Sequence, residues 1–132
     1  MGKSVGRRDF TREQLAQLAA RLMAEEGIQD FAFAKRKAAQ RLGAPAFHHL
    51  PNNAEVEEAL RTFQGLFQKD EQSEWLAYLR REALYAMRLL ERFNPYLTGS
   101  VLAGTANRHS DVNLHLYTDS AKEVELFLLN RG

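Results

Sequence analysis

Five residues toward the C-terminal side of the chain have types and spacing that could do chemistry: Gly99, Ser100, Ser110, Asp111 and Asn113. A strand that ends in Gly-Ser and turns into a short helix offers backbone N–H groups and a hydroxyl to phosphate oxygens, because helix N-termini attract anions and glycine lets a phosphate approach the backbone. Ser100 is the expected cradle. Ten residues separate it from Asp111, where the pattern changes to DVNLHLY. Alternate side chains of a strand share a face, so Asp111 and residue 113 are expected to point together toward that phosphate. A pair of carboxylates there would hold magnesium, which takes oxygen ligands and shares them with substrate phosphates. Asn113 supplies a neutral carbonyl oxygen instead, so metal affinity is expected to fall. Asp119 and Glu123 lie beyond the strand, at a cap and in a helix, and neither stands in as a second carboxylate.

Other reactive residue types read more simply as structure. His109 and His115 flank the five but lack a matching third ligand for zinc, and a surface or substrate-contacting role is expected for them. His48 and His49 fall in a loop. Trp75, Tyr78 and Tyr85 read as core or interface aromatics. The run Ala34-Lys35-Arg36-Lys37 reads as the solvated face of a helix.

The elements that must position the five are legible from periodicity. Thr11 to Gln14 has the form of a capping box, with Phe10 and Leu15 as its hydrophobic staple. Leu15, Leu18, Ala19 and Leu22 then share one helical face up to Gly27. A second helix is expected from Phe31, with Phe31, Ala34, Ala38 and Leu42 as its apolar stripe and Gly43 as its stop. Residues 44–53, APAFHHLPNN, form the one clear linker, with an Asn pair able to cap the next helix. That third helix is expected over 54–68 with Val56, Leu60, Phe63 and Phe67 buried. A fourth, over 72–92, turns Leu76, Leu79, Ala83, Ala86, Met87 and Leu90 inward, and Asn94-Pro95 ends it. Past Pro95 come a short strand, a helix over 101–106, the strand 111–117 and a final helix opened by the capping box at Ser120 to Glu123.

The chain has 132 residues, the size of one ordinary domain, with 45% hydrophobic and 27% charged residues and no cysteine. Disulfides, thiolate chemistry and Cys-ligated metal sites are therefore excluded. No apolar run approaches the roughly 18 to 20 residues of a membrane span, and the basic N-terminus is not followed by a signal-type apolar core, which predicts a cytoplasmic protein with no membrane partner. Residues 1–50 carry nine Lys or Arg against five Asp or Glu, a net +4 within an overall +1. That half could meet an anion, but no aromatic residues interleave with the charges, and the composition speaks against nucleic acid as the partner.

With Leu97, Gly99, Ser100, nine further residues and then Ser110-Asp111-Val112-Asn113, the segment from Phe93 to Leu116 resembles the opening half of the palm of the nucleotidyltransferase superfamily, the fold of polymerase-beta-like and small bacterial minimal nucleotidyltransferases. The resemblance covers about a quarter of the chain. It implies an α+β fold: about four N-terminal helices, residues 1–92, packed with a partial palm of strand, helix, strand and helix, residues 93–132, in one compact unit. It implies transfer of a nucleoside monophosphate from a nucleoside triphosphate to an acceptor, with Gly99, Ser100 and Ser110 on the phosphates and Asp111 and Asn113 at the catalytic and Mg2+ positions. Asn113 departs from the family's paired carboxylates, and the third carboxylate of the family's later strand has no counterpart. A catalytically degenerate fold serving as a binding or regulatory module is the alternative expectation. Two strands leave unpaired edges, so cover by the helices, pairing with a second copy or, foremost, a natural chain continuing past Gly132 is expected.

Overall fold

The computed structural model describes the backbone of residues 2–44 and 49–131, with side chains from residue 12 onward in those ranges. Among them the fold is mostly helical with a small antiparallel sheet, an α+β arrangement. The helices are α1 (Gly2–Glu26), α2 (Phe31–Leu42), α3 (Asn53–Phe67), α4 (Lys69–Leu89), α5 (Gly99–Ala103) and α6 (Ala121–Arg131). The strands are β1 (Pro95–Thr98) and β2 (Asn113–Leu116).

Local chemistry accounts for the helix ends. Asp30 caps α2 by accepting from the Ala32 N–H at 3.0 Å, and Gly43 closes it at φ +71°, in the left-handed region where a Cβ is costly. Asn52 and Glu55 form the capping box of α3: Asn52 Oδ1 accepts from the Glu55 N–H at 2.8 Å, and Glu55 accepts from the Asn52 N–H at 2.9 Å. At α6 the Ser120 hydroxyl accepts from the Glu123 N–H at 3.3 Å. Gly27 ends α1 as expected. The start of α1 differs from the expected cap at Thr11. The helix already runs from Gly2, because a local cap signature does not stop a helix whose preceding residues, free of proline, can continue it. The side chains of Phe10 and Thr11 lie outside the described residues, as do residues 45–48 of the linker, His48 among them.

Two apolar clusters organise the chain. The first joins α1, α2 and α3 through Leu15, Ala19, Leu22, Ala34, Ala38, Val56 and Leu60. The second joins α4 to the sheet region through Leu79, Ala83, Val101 and Ala106, with Leu76, Leu97 and Val112 packed against it. Some expected core positions are exposed. Leu42 of α2 and Phe67 of α3 are 44% and 71% accessible, while Gln64 is among the buried residues of α3. Trp75, Tyr78 and Tyr85 are also exposed rather than core. The stripe of α3 ends before Phe67 because α4 begins immediately at Lys69 and turns the chain away.

The basic run of α2 is not a free solvated face. Lys35 Nζ donates to the Pro51 carbonyl at 3.1 Å and to Asn53 Oδ1 at 2.7 Å, and Lys37 pairs with Glu26 at 2.9 Å. The sheet pairs Pro95 with Leu116 and Thr98 with Asn113. Leu114 and Leu116 face inward and half-buried while Asn113 and His115 face out, the alternation that the sequence predicts.

Candidate functional site

The chain path through the five candidate residues begins with β1, whose last residue is Thr98. Gly99 follows at φ +76°, a conformation that L side chains rarely adopt, and swings the backbone from strand into α5. It is also a close approach. A Cβ on Gly99 would stand 3.0 Å from Nδ2 of Asn113, the end of an exposed side chain that can shift, so it is the backbone conformation that calls for glycine.

This helix is shorter than the expected 101–106. It stops at Ala103 because Gly104 takes φ +90° and its N–H bonds back to the Ser100 carbonyl, which also accepts from the N–H groups of Thr105 and Ala106. The carbonyls along this turn would be orphans without partners. Each one from Val101 to Ala106 accepts a side-chain donor from α3 or α4. Arg80 Nε serves Val101 at 3.0 Å and Arg80 Nη2 serves Leu102 at 3.2 Å. Arg61 reaches Ala103 at 3.1 Å, and Gln64, buried, reaches Thr105 at 2.8 Å. Gln72 Nε2 spans Gly104 and Ala106 at 3.0 and 2.9 Å. Sequence periodicity missed these four side chains, since polar residues on a helix read as solvent-facing. The one available signal was Gln64 lying on the same face as Leu60.

The returning loop is built on Asn107. Its Oδ1 accepts from the His109 N–H at 2.8 Å, and its own N–H donates to the Ser110 hydroxyl at 3.0 Å. The α1–α2 turn clamps this loop. Gly27, at φ +76°, lies so near the His109 ring that a Cβ there would come within 2.7 Å of it, and Gln29 Nε2 donates to the His109 carbonyl. His109 is thereby a packing residue, with Nε2 accepting from Arg108 Nε at 3.2 Å.

Four of the five residues meet. Gly99, Ser100, Ser110 and Asn113 line one cavity of about 260 Å³, opposite an apolar wall that includes Met23, Phe31 and Leu60. Glu57 of α3 also lines it, and periodicity alone did not mark it. Its carboxylate pairs with Arg61 at 3.4 Å. Asp111 departs from expectation. It is exposed, precedes the strand and is not among the lining residues, because the ladder ends at the Thr98 and Asn113 pair. In that register residue 111 would lie opposite residue 100, which the glycine turn has already carried into α5. Asp111 therefore lies outside the paired strand that begins at Asn113.

No family model matches the chain, and no curated protein or solved structure matches it.

A magnesium site can be judged on its donors. Among the described residues no three His, Asp or Glu side chains gather in a metal-holding group. A paired-metal site does not fit this arrangement. A single ion held by Asp111 and shared with bound phosphates is compatible with magnesium's habit of binding through one or two carboxylates plus phosphate oxygens. Nor, among the described residues, is any helix long and apolar enough to cross a membrane.

Proposed function

We propose that the chain is a nucleotidyltransferase-like protein that binds a nucleoside triphosphate in the cavity lined by Gly99, Ser100, Ser110 and Asn113. The observation carrying this reading is that cavity itself, where a glycine turn in the left-handed region and two serine residues converge from segments ten residues apart. Hydroxyls and backbone N–H groups beside glycine are the donors that phosphate oxygens require. The reaction implied by the resemblance is transfer of a nucleoside monophosphate to an acceptor hydroxyl, phosphate or protein group. Ser100 and Ser110 would hold the phosphates, and Asp111, next in sequence to Ser110 but outside the cavity lining, would be the carboxylate offered to Mg2+. When bound, the ion neutralises phosphate charge.

A second reading is favoured by one specific feature, the carboxamide of Asn113 at a position where the family carries a carboxylate. Under it the palm is kept as a nucleotide-binding or regulatory module without turnover. Titrating the protein with nucleoside triphosphates and Mg2+ while following backbone amides by NMR tests the shared part of both. Shifts confined to Gly99 through Asn113 are expected, and a silent spectrum overturns the proposal. Incubation with labelled triphosphate and Mg2+ then separates the two, since release of pyrophosphate occurs only in an active enzyme.

A further inference from the structure

The cavity lined by Gly99, Ser100 and Asn113 opens onto one face of the sheet. Successive residues of a strand alternate between faces, so Asn113, His115 and Tyr117 form one row. The register sets Thr98 opposite Asn113 and Tyr96 opposite His115, on the same face. Tyr117 carries the row one step past β2, with its N–H donating to the Phe93 carbonyl at 2.9 Å. Leu97 points the other way and packs against the α4 cluster. Asn113 heads the row, lines the cavity and is the side chain nearest Gly99. From there the row runs out of the cavity along the open side of the sheet.

What the row carries is aromatic and open to solvent. Tyr96 and Tyr117 are 59% and 60% accessible, their ring centroids lie 5.1 Å apart with the planes at 87°, and His115 beside them is exposed. An edge-on contact uses the edge of one ring and one face of the other, so ring faces remain for a third planar group. Cross-strand aromatic pairs also stabilise a sheet by themselves. The place of this pair is what gives it a second use. A strand rises roughly 3.3 Å per residue, which sets the Tyr96 and His115 pair about 7 Å along the sheet from Asn113. That step leaves room for a sugar between phosphates held in the cavity and a ring held on the tyrosines.

We propose that the sheet face formed by Tyr96, His115 and Tyr117 stacks the base of the nucleotide whose phosphates enter the cavity at Gly99 and Ser100. The proposal rests on the nucleotide reading given above. Sheet faces that display aromatic side chains are established stacking surfaces for bases, and imidazole rings serve in the same way. Stacking tolerates a change of base because every base has a π-face. The platform therefore discriminates a nucleotide from a bare phosphate compound, and it accepts purine and pyrimidine alike.

Ribose 5-triphosphate is ATP without its base and with the same charge, so it separates the two halves of the site. Each is titrated with Mg2+ into the whole chain and followed by NMR. Both should move the Gly99 to Asn113 amides. Only ATP should also shift the ring protons of Tyr96, His115 and Tyr117, and it should bind about tenfold tighter. Replacing both tyrosines by leucine, Tyr96→Leu with Tyr117→Leu, should bring ATP close to the affinity of the baseless compound and leave the latter unchanged. Tyr96→Phe with Tyr117→Phe keeps the rings and should keep the tenfold preference. Equal binding of ATP and ribose 5-triphosphate with silent rings overturns the stacking platform and leaves the phosphate cavity standing. No shift at Gly99 to Asn113 with either compound overturns both. If the leucine variant does not fold, the comparison of the two compounds on the wild-type chain decides alone.

Discussion

Gly99 holds a left-handed backbone conformation that favours glycine. Its φ of +76° costs an L residue roughly 1–2 kcal/mol, and a methyl group there would press on the Asn113 amide. Gly99→Ala is therefore expected to lower unfolding free energy by about 1–3 kcal/mol in a urea titration and to displace the Asn113 side-chain resonances. Asn113 bears the opposite kind of prediction. Asn113→Asp places a second carboxylate two residues from Asp111, and Mg2+ affinity measured by calorimetry with triphosphate present should rise, roughly tenfold. An unchanged affinity would show that Asp111, off the strand and exposed, does not cooperate with position 113.

Among the elements, α5 depends on its neighbours more than on its own sequence. Five residues are too few for a stable helix in isolation, and the side chains of Arg61, Gln64, Gln72 and Arg80 hold its carbonyls and those of the turn after it. Gln64 is the most buried of these donors, so Gln64→Leu leaves the Thr105 carbonyl unpaired and should cost about 1–3 kcal/mol, read by denaturant unfolding. Helix α6 is held differently. No residue in it is buried, and Phe127 anchors it by an edge-on contact with Phe93 at 5.4 Å, flanked by the guanidinium groups of Arg92 and Arg131 at 4.8 and 5.0 Å. Phe127→Ala should speed hydrogen exchange across Ala121–Arg131 while leaving α1 to α3 protected.

At the scale of the molecule, the helical cluster of α1 to α3 is tied together partly by charge. Glu55 accepts from both the Arg12 guanidinium and the Asn52 N–H, which together hold its carboxyl below the ordinary glutamate range. Glu26, between Lys37 and Arg41, is lowered for the same reason. A carboxylate whose folded pKa is depressed stabilises the fold above its unfolded value and loses that contribution as pH falls through the folded value. Wild type should thus exceed Glu55→Gln in stability near neutral pH, with the gap closing below about pH 4, as checked by urea midpoints across pH. Added salt should narrow the gap at neutral pH, because both partners are partly exposed.

Much of this architecture is written locally. Periodicity and caps gave the α2 start at Phe31, the Gly27 and Gly43 stops, the Asn52 cap and the alternation of Asn113 to Leu116, because each depends on residues within a few positions of one another. The Gly-Ser turn was legible for the same reason. Long-range terms decided the rest. Where α5 ends and where β2 begins follow from Gly104, from the register with β1 and from donors on α3 and α4. Those terms moved Asp111 off the strand while gathering Ser100, Ser110 and Asn113 with Glu57 on one cavity. A polar side chain such as Gln64 or Gln68 carries no mark of burial in its own sequence. Only the packing of helix against loop makes one a donor to Thr105 and buries the Oε1 of the other.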